Sequence, residues 1–123
     1  MSRKYSKDHV WVDIDSDDIA IVGITDFAQD ELGDVVYVEQ PAMGKMIEQY
    51  GDAATVESVK TASDVKAPIS GEVIDVNPEL EDSPELVNSD PEGTAWFFKV
   101  KPSDMAELAN LMDKDEYLKL IET

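Results

Sequence analysis

Two segments of this chain repeat one pattern, and that repeat constrains the fold more than any other feature. Residues 33–39 read Gly-Asp-Val-Val-Tyr-Val-Glu, and residues 71–77 read Gly-Glu-Val-Ile-Asp-Val-Asn. Each begins with a glycine and an acidic residue and continues with β-branched residues, which favour a strand. The copies bracket Lys60 almost evenly, so the sequence predicts two related halves of an all-β unit with Lys60 near their joint.

The first part of the chain predicts two strands and one short helix. Apolar residues alternate with other residues over positions 10–14, which is the period of a half-buried strand. Residues 19–24 are almost continuously apolar and predict a buried strand. Thr25 is a suitable N-cap and Gly33 can close a C-terminus, so we expect a helix over residues 26–32.

The rest of the chain predicts further strands and then helical segments. Alternation over residues 65–70 indicates a strand, and residues 94–102 indicate another. Between them the chain is rich in turn residues, and we expect a loop with one helical turn near residues 85–87. Ser103 is expected to cap a helix, and a second helical piece follows it. The first of these helices has four apolar residues on one face, namely Met105, Leu108, Leu111 and Met112.

These elements predict a mainly β fold, a small β-sandwich with a short internal helix and C-terminal helices. A chain of 123 residues fits one domain. We therefore expect a single domain over residues 1–123, with residues 103–123 packed on it as a helical segment.

The charge and composition of the chain exclude several classes of function. Asp and Glu number 28 against 10 Lys and Arg, which gives a formal net charge of -18. Such a surface repels nucleic acids and anionic membranes, and it favours partners with basic docking sites. The absence of cysteine excludes disulfides, thiolate metal sites and a cysteine nucleophile. Because the N-terminus lacks the apolar segment of a signal peptide, we expect a cytoplasmic protein.

Lys60 lies between two predicted strands, and three roles are open to it. It is a solvated surface lysine, a catalytic amine, or an anchor whose amine another enzyme acylates. A catalytic amine must lose its proton near neutral pH, whereas the nearby carboxylates of Glu57 and Asp64 favour its charged form. The small residues that flank Lys60 suit an anchor at the tip of a hairpin. The sequence has no nucleophile–base pair, phosphate-binding loop or metal-ligand spacing, so we expect no catalytic activity.

Five segments together make the chain similar to a known family. They are, in order, HVWV (9–12), GITDFAQDELGDVVYVE (23–39), ESVKTASDVKAPISGEVIDVN (57–77), PELVN (84–88) and GTAWFFKV (93–100). In these segments and their spacing the chain resembles the glycine cleavage system H proteins, which carry lipoate, over nearly its whole length. The resemblance implies a lipoyl-domain-like β-sandwich of the hybrid, or barrel-sandwich, type.

The resemblance places lipoate on Lys60, as an amide of its amine. It also implies that the enzyme that attaches lipoate is sensitive to Glu57, three residues before the lysine, and to Gly71, eleven residues after it. We expect a tight backbone turn at Gly71. A biotin carrier would have methionine on both sides of the lysine, whereas Val59 and Thr61 stand there, which favours lipoate.

The resemblance implies a carrier without an active site of its own. The arm on Lys60 would accept the aminomethyl group that glycine decarboxylase leaves after it releases carbon dioxide from glycine. An aminomethyltransferase would pass the one-carbon unit to tetrahydrofolate, and dihydrolipoyl dehydrogenase would reoxidise the arm. We expect a monomer, because the carrier must visit several partners, and we expect neither nucleic acid nor membrane among them.

The resemblance also implies a surface cleft that shelters the loaded arm. The family usually reads His-Glu-Trp-Val near the N-terminus, but in this chain Val10 replaces the glutamate. Asp64 matches an acidic cleft position, and we expect Asp8 to substitute for the missing carboxylate. His9 is expected to pack or to form hydrogen bonds. Four aromatic residues are expected in the core or the cleft wall, namely Trp11, Trp96, Phe97 and Phe98.

Two alternative functions stay open on the sequence. A related protein that passes lipoate on to 2-oxoacid dehydrogenases would look similar, and the replacement at Val10 is compatible with it. The other alternative is an acidic interaction module that is never modified.

Overall fold

The computed structural model describes residues 3–121, which form two β-sheets and several short helices. The strands are β1 (Lys4–Tyr5), β2 (Val10–Ile14), β3 (Ala20–Ile24), β4 (Val35–Glu39), β5 (Met46–Ile47), β6 (Asp52–Ser58), β7 (Ala62–Lys66), β8 (Gly71–Val76) and β9 (Phe98–Pro102). The helices are α1 (Asp26–Leu32), α2 (Glu79–Asp82), α3 (Leu86–Ser89), a 3₁₀ helix (Met105–Asn110) and α4 (Lys114–Ile121). None of the helices in residues 3–121 is long and apolar enough to cross a membrane.

The two sheets enclose the main apolar core. Six strands pair in the order β1-β2-β3-β9-β8-β5, and three pair in the order β4-β6-β7. All of these pairs are antiparallel. The two copies of the repeated pattern form β4 and β8, which lie in different sheets. Val22, Val56 and Val73 contribute buried side chains from both sheets to the core, together with Phe97 and Phe98.

Local signals set the bounds of α1, which has the predicted extent. The hydroxyl of Thr25 accepts a 3.2 Å hydrogen bond from the backbone N–H of Ala28 and so caps the first turn. At the other end, the N–H of Gly33 donates a 3.0 Å hydrogen bond to the carbonyl oxygen of Gln29. The predicted cap residues are therefore confirmed.

Trp11 on β2 is buried in the core, which is one of the two placements expected for it. Its side chain joins a second apolar cluster with Tyr5 and Tyr117. The guanidinium of Arg3 lies 4.1 Å from the centroid of the indole ring. The N-terminal strand and α4 supply these contacts, so tertiary packing decides the burial of Trp11 where the strand period alone does not.

The segments after β8 differ from the prediction in three places. The strand predicted over residues 94–102 is shorter, since β9 begins at Phe98. The turn-rich loop contains two single-turn helices, α2 and α3, where one was predicted. The helix after β9 is a 3₁₀ helix capped by Asp104, which accepts a 3.0 Å hydrogen bond from the N–H of Ala106, so the predicted cap at Ser103 is wrong. Leu111 and Met112 fall outside this helix, because the backbone of Met112 forms two 2.8 Å hydrogen bonds with the N-terminal strand β1.

Candidate functional site

Lys60 lies at the tip of the hairpin formed by β6 and β7. The last strand pair before the tip is Glu57 opposite Ala62. A 2.7 Å hydrogen bond from the N–H of Ser58 to the carbonyl oxygen of Thr61 closes the turn. The Ser58 hydroxyl also accepts hydrogen bonds from the N–H groups of Lys60 and Thr61, both of 3.2 Å. These bonds hold the backbone of Lys60 at the apex.

A second set of contacts ties the tip to the turn between α1 and β4. The N–H of Val59 donates a 3.0 Å hydrogen bond to the carbonyl oxygen of Asp34. The side chain of Asn88 on α3 holds the same turn, since its Nδ2 donates to the carbonyl oxygen of Gly33 and its Oδ1 accepts from the N–H of Val35, each at 2.8 Å. Asn88 is thus a structural residue of the site that the sequence analysis missed, although it ends one of the five quoted segments.

The side chain of Lys60 is exposed, and its amine is unpaired among the described residues. Within residues 3–121 this amine has no hydrogen bond and no ion pair. The other lysine of the hairpin, Lys66, forms an ion pair with Asp52. Chemical modification of the Lys60 amine would therefore cost the fold no polar interaction, whereas modification of Lys66 would break one.

The two residues expected to guide the attaching enzyme lie in different sheets. Glu57 is exposed on β6 beside the tip, and Gly71 is buried at the start of β8. A Cβ built on Gly71 would lie 2.2 Å from the carbonyl oxygen of Lys101 and 2.6 Å from Cγ1 of Val100. The close approach of β9 therefore requires glycine at this position, where the sequence analysis expected a tight turn.

A cleft of about 420 Å³ opens beside the hairpin. Its apolar wall consists of Val10, Ile24, Phe27, Ala28, Leu32, Val56 and Val65, and its polar wall of Asp8, His9, Glu31, Thr61, Ser63 and Asp64. Three of these side chains are carboxylates, and neither lysine nor arginine is among the described lining residues. A cleft of this kind suits an apolar chain that ends in a cation.

The structure brings Asp8 and Asp64 to the same cleft and adds Glu31, which the sequence analysis missed. Asp8 precedes β2, Asp64 lies on β7 and Glu31 lies in the last turn of α1. Phe27 and Glu31 are four residues apart on α1 and share a helix face. This spacing indicates Glu31 as a second cleft residue once Phe27 is known to line the cleft.

The four aromatic residues named in the sequence analysis are not cleft residues. Trp11, Phe97 and Phe98 are buried in the two apolar clusters, and the partly buried Trp96 packs against the same cluster as Trp11. The aromatic side chain on the cleft wall is Phe27. Of the two placements expected for the four residues, packing in the core is the correct one.

His9 connects the cleft to the C-terminal helix. Its Nδ1 lies 2.8 Å from the hydroxyl of Tyr117, and the hydroxyls of Tyr117 and Thr25 share a 2.7 Å hydrogen bond. The imidazole also packs against Phe27, with the ring centroids 4.7 Å apart. The prediction that His9 packs or forms hydrogen bonds is confirmed.

Burial lowers the pKa of His9 below its usual 6.5, and the nearby carboxylates of Asp8 and Glu31 offset that shift only in part. The unfolded chain then binds a proton at a higher pH than the folded chain does. We therefore expect the free energy of unfolding to fall as the pH drops through about 6.5 towards the lower pKa of the folded state. Urea denaturation between about pH 7.5 and pH 5.5 measures this fall.

His9→Asn is the matched variant for this measurement. Asparagine tolerates the positive φ of 65° at position 9, and its amide oxygen can accept a hydrogen bond from Tyr117. The variant should lose less unfolding free energy than the wild type over the same pH interval. Equal losses in both proteins would assign the pH dependence to carboxylates and not to His9.

Comparison with known proteins places the chain beside glycine cleavage system H proteins. Residues 3–123 match the family described as glycine cleavage H-protein. The chain is 54% identical over 118 residues to the glycine cleavage system H protein of Rhodospirillum rubrum, covering 95% of this chain and 94% of that protein. It is 51% identical over 121 residues to the protein of the same name from Thermus thermophilus, covering 98% of this chain and 94% of that protein.

A solved structure shows the same likeness in three dimensions. The crystal structure of a glycine cleavage system H protein from Mycobacterium marinum matches this fold with a TM-score of 0.90 at 35% identity. The match covers 99% of this chain and 98% of that chain. The expected lipoyl-domain-like β-sandwich is confirmed by this likeness.

Proposed function

The chain belongs to the glycine cleavage H-protein family, and from that premise we propose that it is a lipoate-bearing carrier with Lys60 as the attachment residue. The observation that carries the proposal is an exposed amine, unpaired among residues 3–121, at the tip of a hairpin that hydrogen bonds hold on two sides. A carrier needs one amine that several enzymes can reach, and it needs no catalytic group of its own.

The residues around Lys60 fit lipoate. The apolar wall of the cleft suits an alkyl chain, and Asp8, Glu31 and Asp64 on the polar wall suit an amine cation. When bound, lipoate supplies a disulfide whose sulfur takes up the aminomethyl group left after glycine loses carbon dioxide. The chain itself anchors the group at Lys60, offers the arm an apolar wall, and offers carboxylates to the amine.

Glu57 and Gly71 have different roles in the attachment of lipoate. The exposed carboxylate of Glu57 beside the tip supports direct contact with the attaching enzyme. Gly71 is buried against β9, and that burial supports an indirect role, in which the glycine keeps β8 in place. Direct contact of the enzyme with Gly71 is not needed for this role.

The partners of the carrier are glycine decarboxylase, an aminomethyltransferase, dihydrolipoyl dehydrogenase and the enzyme that attaches lipoate, and it meets them as a monomer in the cytoplasm. A net charge of -18 favours basic docking surfaces on each of these enzymes. All of them must reach the same hairpin, which supports a monomer with that hairpin free.

Two measurements test the proposed function. Expression of the full chain with lipoate and its attaching enzyme should add one lipoyl group, which intact mass and peptide mapping would place on Lys60. The lipoylated protein should then support glycine-dependent exchange of carbon dioxide by purified glycine decarboxylase. A protein without an adduct would be an unmodified interaction module, and an adduct without exchange would indicate a relay of lipoate to 2-oxoacid dehydrogenases.

Removal of a cleft carboxylate is expected to shorten the lifetime of the aminomethyl group on the arm. The reduced protein can be loaded directly, because a thiol, formaldehyde and ammonia condense to an aminomethyl thioether with loss of water. In Asp64→Asn and Asp8→Asn we expect hydrolysis to release the group up to about 5-fold faster, which corresponds to about 1 kcal/mol, the upper end for one exposed charge pair. Intact mass against time measures the release.

Asp17→Asn is the control for these two variants. It makes the same change of charge in the turn between β2 and β3, at the far end of that hairpin from the cleft residues Val10 and Ile24. Its release rate should equal that of the wild type. A wild-type rate in Asp8→Asn would remove Asp8 from the proposed cleft chemistry, and the same outcome in Asp64→Asn would remove Asp64.

A further inference from the structure

Gly33 contacts the stem of the Lys60 side chain. A Cβ built on Gly33 would lie 2.9 Å from Cε of Lys60, 3.8 Å from Cδ and 3.5 Å from Nζ. These three atoms are its nearest neighbours outside the adjoining residues. The stem of Lys60 therefore passes over the bare Cα of Gly33, through space that any other side chain would fill.

This contact joins the attachment residue to the cleft. Leu32, immediately before Gly33, lines the cleft, and so does Glu31. Thr61, immediately after Lys60, lines the cleft from the hairpin side. An arm that leaves Lys60 across Gly33 therefore meets the cleft between the end of α1 and the tip of the hairpin.

We propose that Gly33 is a positioning residue, which leaves open the passage by which the arm on Lys60 turns into the cleft. The inference rests on the proposed function, because it requires the arm to be attached at Lys60. Gly33 itself offers no group to the arm. It acts by the absence of a side chain, which decides whether the stem lies across the end of α1 or points away from it.

The backbone of Gly33 is held on both sides and cannot easily withdraw from an added side chain. Its N–H donates a 3.0 Å hydrogen bond to the carbonyl oxygen of Gln29, and its own carbonyl oxygen accepts a 2.8 Å hydrogen bond from Asn88. The stem of Lys60 is flexible by comparison. A methyl group at position 33 would therefore displace the stem and leave the fold in place.

The backbone conformation of Gly33 also favours glycine. A test must therefore separate the effect of backbone strain from the effect of filling the space that the Lys60 stem occupies. Its φ is 82° and its ψ is -157°, a region where other residues are strained. Gly44 is the matched control, because its φ is 84° and the nearest atom that a Cβ built there would meet within residues 3–121 is Oε2 of Glu72, at 4.0 Å. Gly44→Ala therefore adds a methyl group at positive φ with no contact to Lys60.

The test compares full-length lipoylated wild type, Gly33→Ala and Gly44→Ala, each first reduced to the dithiol with a chemical reductant and then loaded with formaldehyde and ammonia. We expect Gly33→Ala to release the aminomethyl group by hydrolysis at least about 5-fold faster than the wild type, since a displaced stem no longer delivers the group to the cleft. Gly44→Ala should release it at the wild-type rate. Intact mass follows the release, and equal rates in the two variants would overturn the proposal.

A second measurement uses the wild type alone and so does not depend on the folding of a variant. Nuclear Overhauser effects should connect the α protons of Gly33 with the ε-methylene protons of Lys60 in the lipoylated protein. Their absence would overturn the proposal even if Gly33→Ala fails to fold. A wild type that acquires no lipoyl group on Lys60 would remove the proposed function and the passage together, and intact mass identifies that outcome separately.

Discussion

Lys60→Arg is expected to abolish lipoylation and, with it, glycine-dependent exchange of carbon dioxide. A guanidinium group keeps its proton in proteins and does not form the amide that a lysine amine forms. Because the Lys60 amine is exposed and unpaired within residues 3–121, the free energy of unfolding should change by less than about 0.5 kcal/mol. Intact mass should show no adduct, and exchange should equal the background without a carrier.

Lys101→Arg is the control for this variant. Lys101 is also exposed, but it lies within β9 and not at the tip of a hairpin. The control should acquire one lipoyl group and support exchange as the wild type does. A lipoyl adduct on the Lys60→Arg protein would assign the attachment to another lysine and contradict the proposed function.

Gly71→Ala should destabilise the protein by at least about 3 kcal/mol, the upper range for a side chain forced into a packed interior. The new Cβ would lie 2.2 Å from the carbonyl oxygen of Lys101 and 2.6 Å from Cγ1 of Val100, so β8 and β9 must separate. Backbone atoms on a paired strand cannot move aside as the end of a flexible side chain can. Urea denaturation of the unmodified protein measures the loss.

Gly44→Ala serves again as the reference, because it has positive φ and no close neighbour. It should cost about 1 kcal/mol from backbone strain alone. A loss in Gly71→Ala as small as that in Gly44→Ala would mean that β9 accommodates the methyl group. The structural account of Gly71 would then be wrong.

The Gly71 variant also separates structural from direct recognition by the attaching enzyme. A domain of this size has a stability of about 5–15 kcal/mol, so Gly71→Ala should remain mostly folded at low temperature. If its folded fraction is lipoylated at the wild-type rate, Gly71 acts only through the packing of β8 against β9. A reduced rate in fully folded protein would support direct recognition.

The elements that could be predicted from the sequence are those whose signals are local. The helix α1 has its predicted bounds because its caps at Thr25 and Gly33 bond to groups within four residues of themselves. Strands β2 and β3 follow from apolar patterns within single segments. The position of Lys60 between two strands was expected in the same way, although the strand after it, β7 (Ala62–Lys66), begins earlier than the predicted residues 65–70 and ends before residue 67.

Local sequence patterns were not sufficient to predict the structure where a distant segment of the chain packs on the residues concerned. The period of β2 does not decide how deeply Trp11 is buried, and Tyr5 and Tyr117 decide it by packing on the same cluster. The apolar spacing after Ser103 predicts an α-helix, but the pairing of Met112 with β1 ends the helix early. In each case the deciding contact joins the two ends of the chain, which no local window contains.

By itself, then, the sequence determined that one lysine stands at the tip of a hairpin in a strongly acidic β-sandwich. Only the tertiary structure decided what surrounds that lysine. Asn88 reaches Gly33 and Val35 across 55 and 53 residues of chain, and the cleft assembles Asp8, Glu31 and Asp64 from three separate segments of the chain. The physical reason is that caps and strand periods act within a few residues, whereas a cleft and the passage into it exist only where packing brings distant segments together.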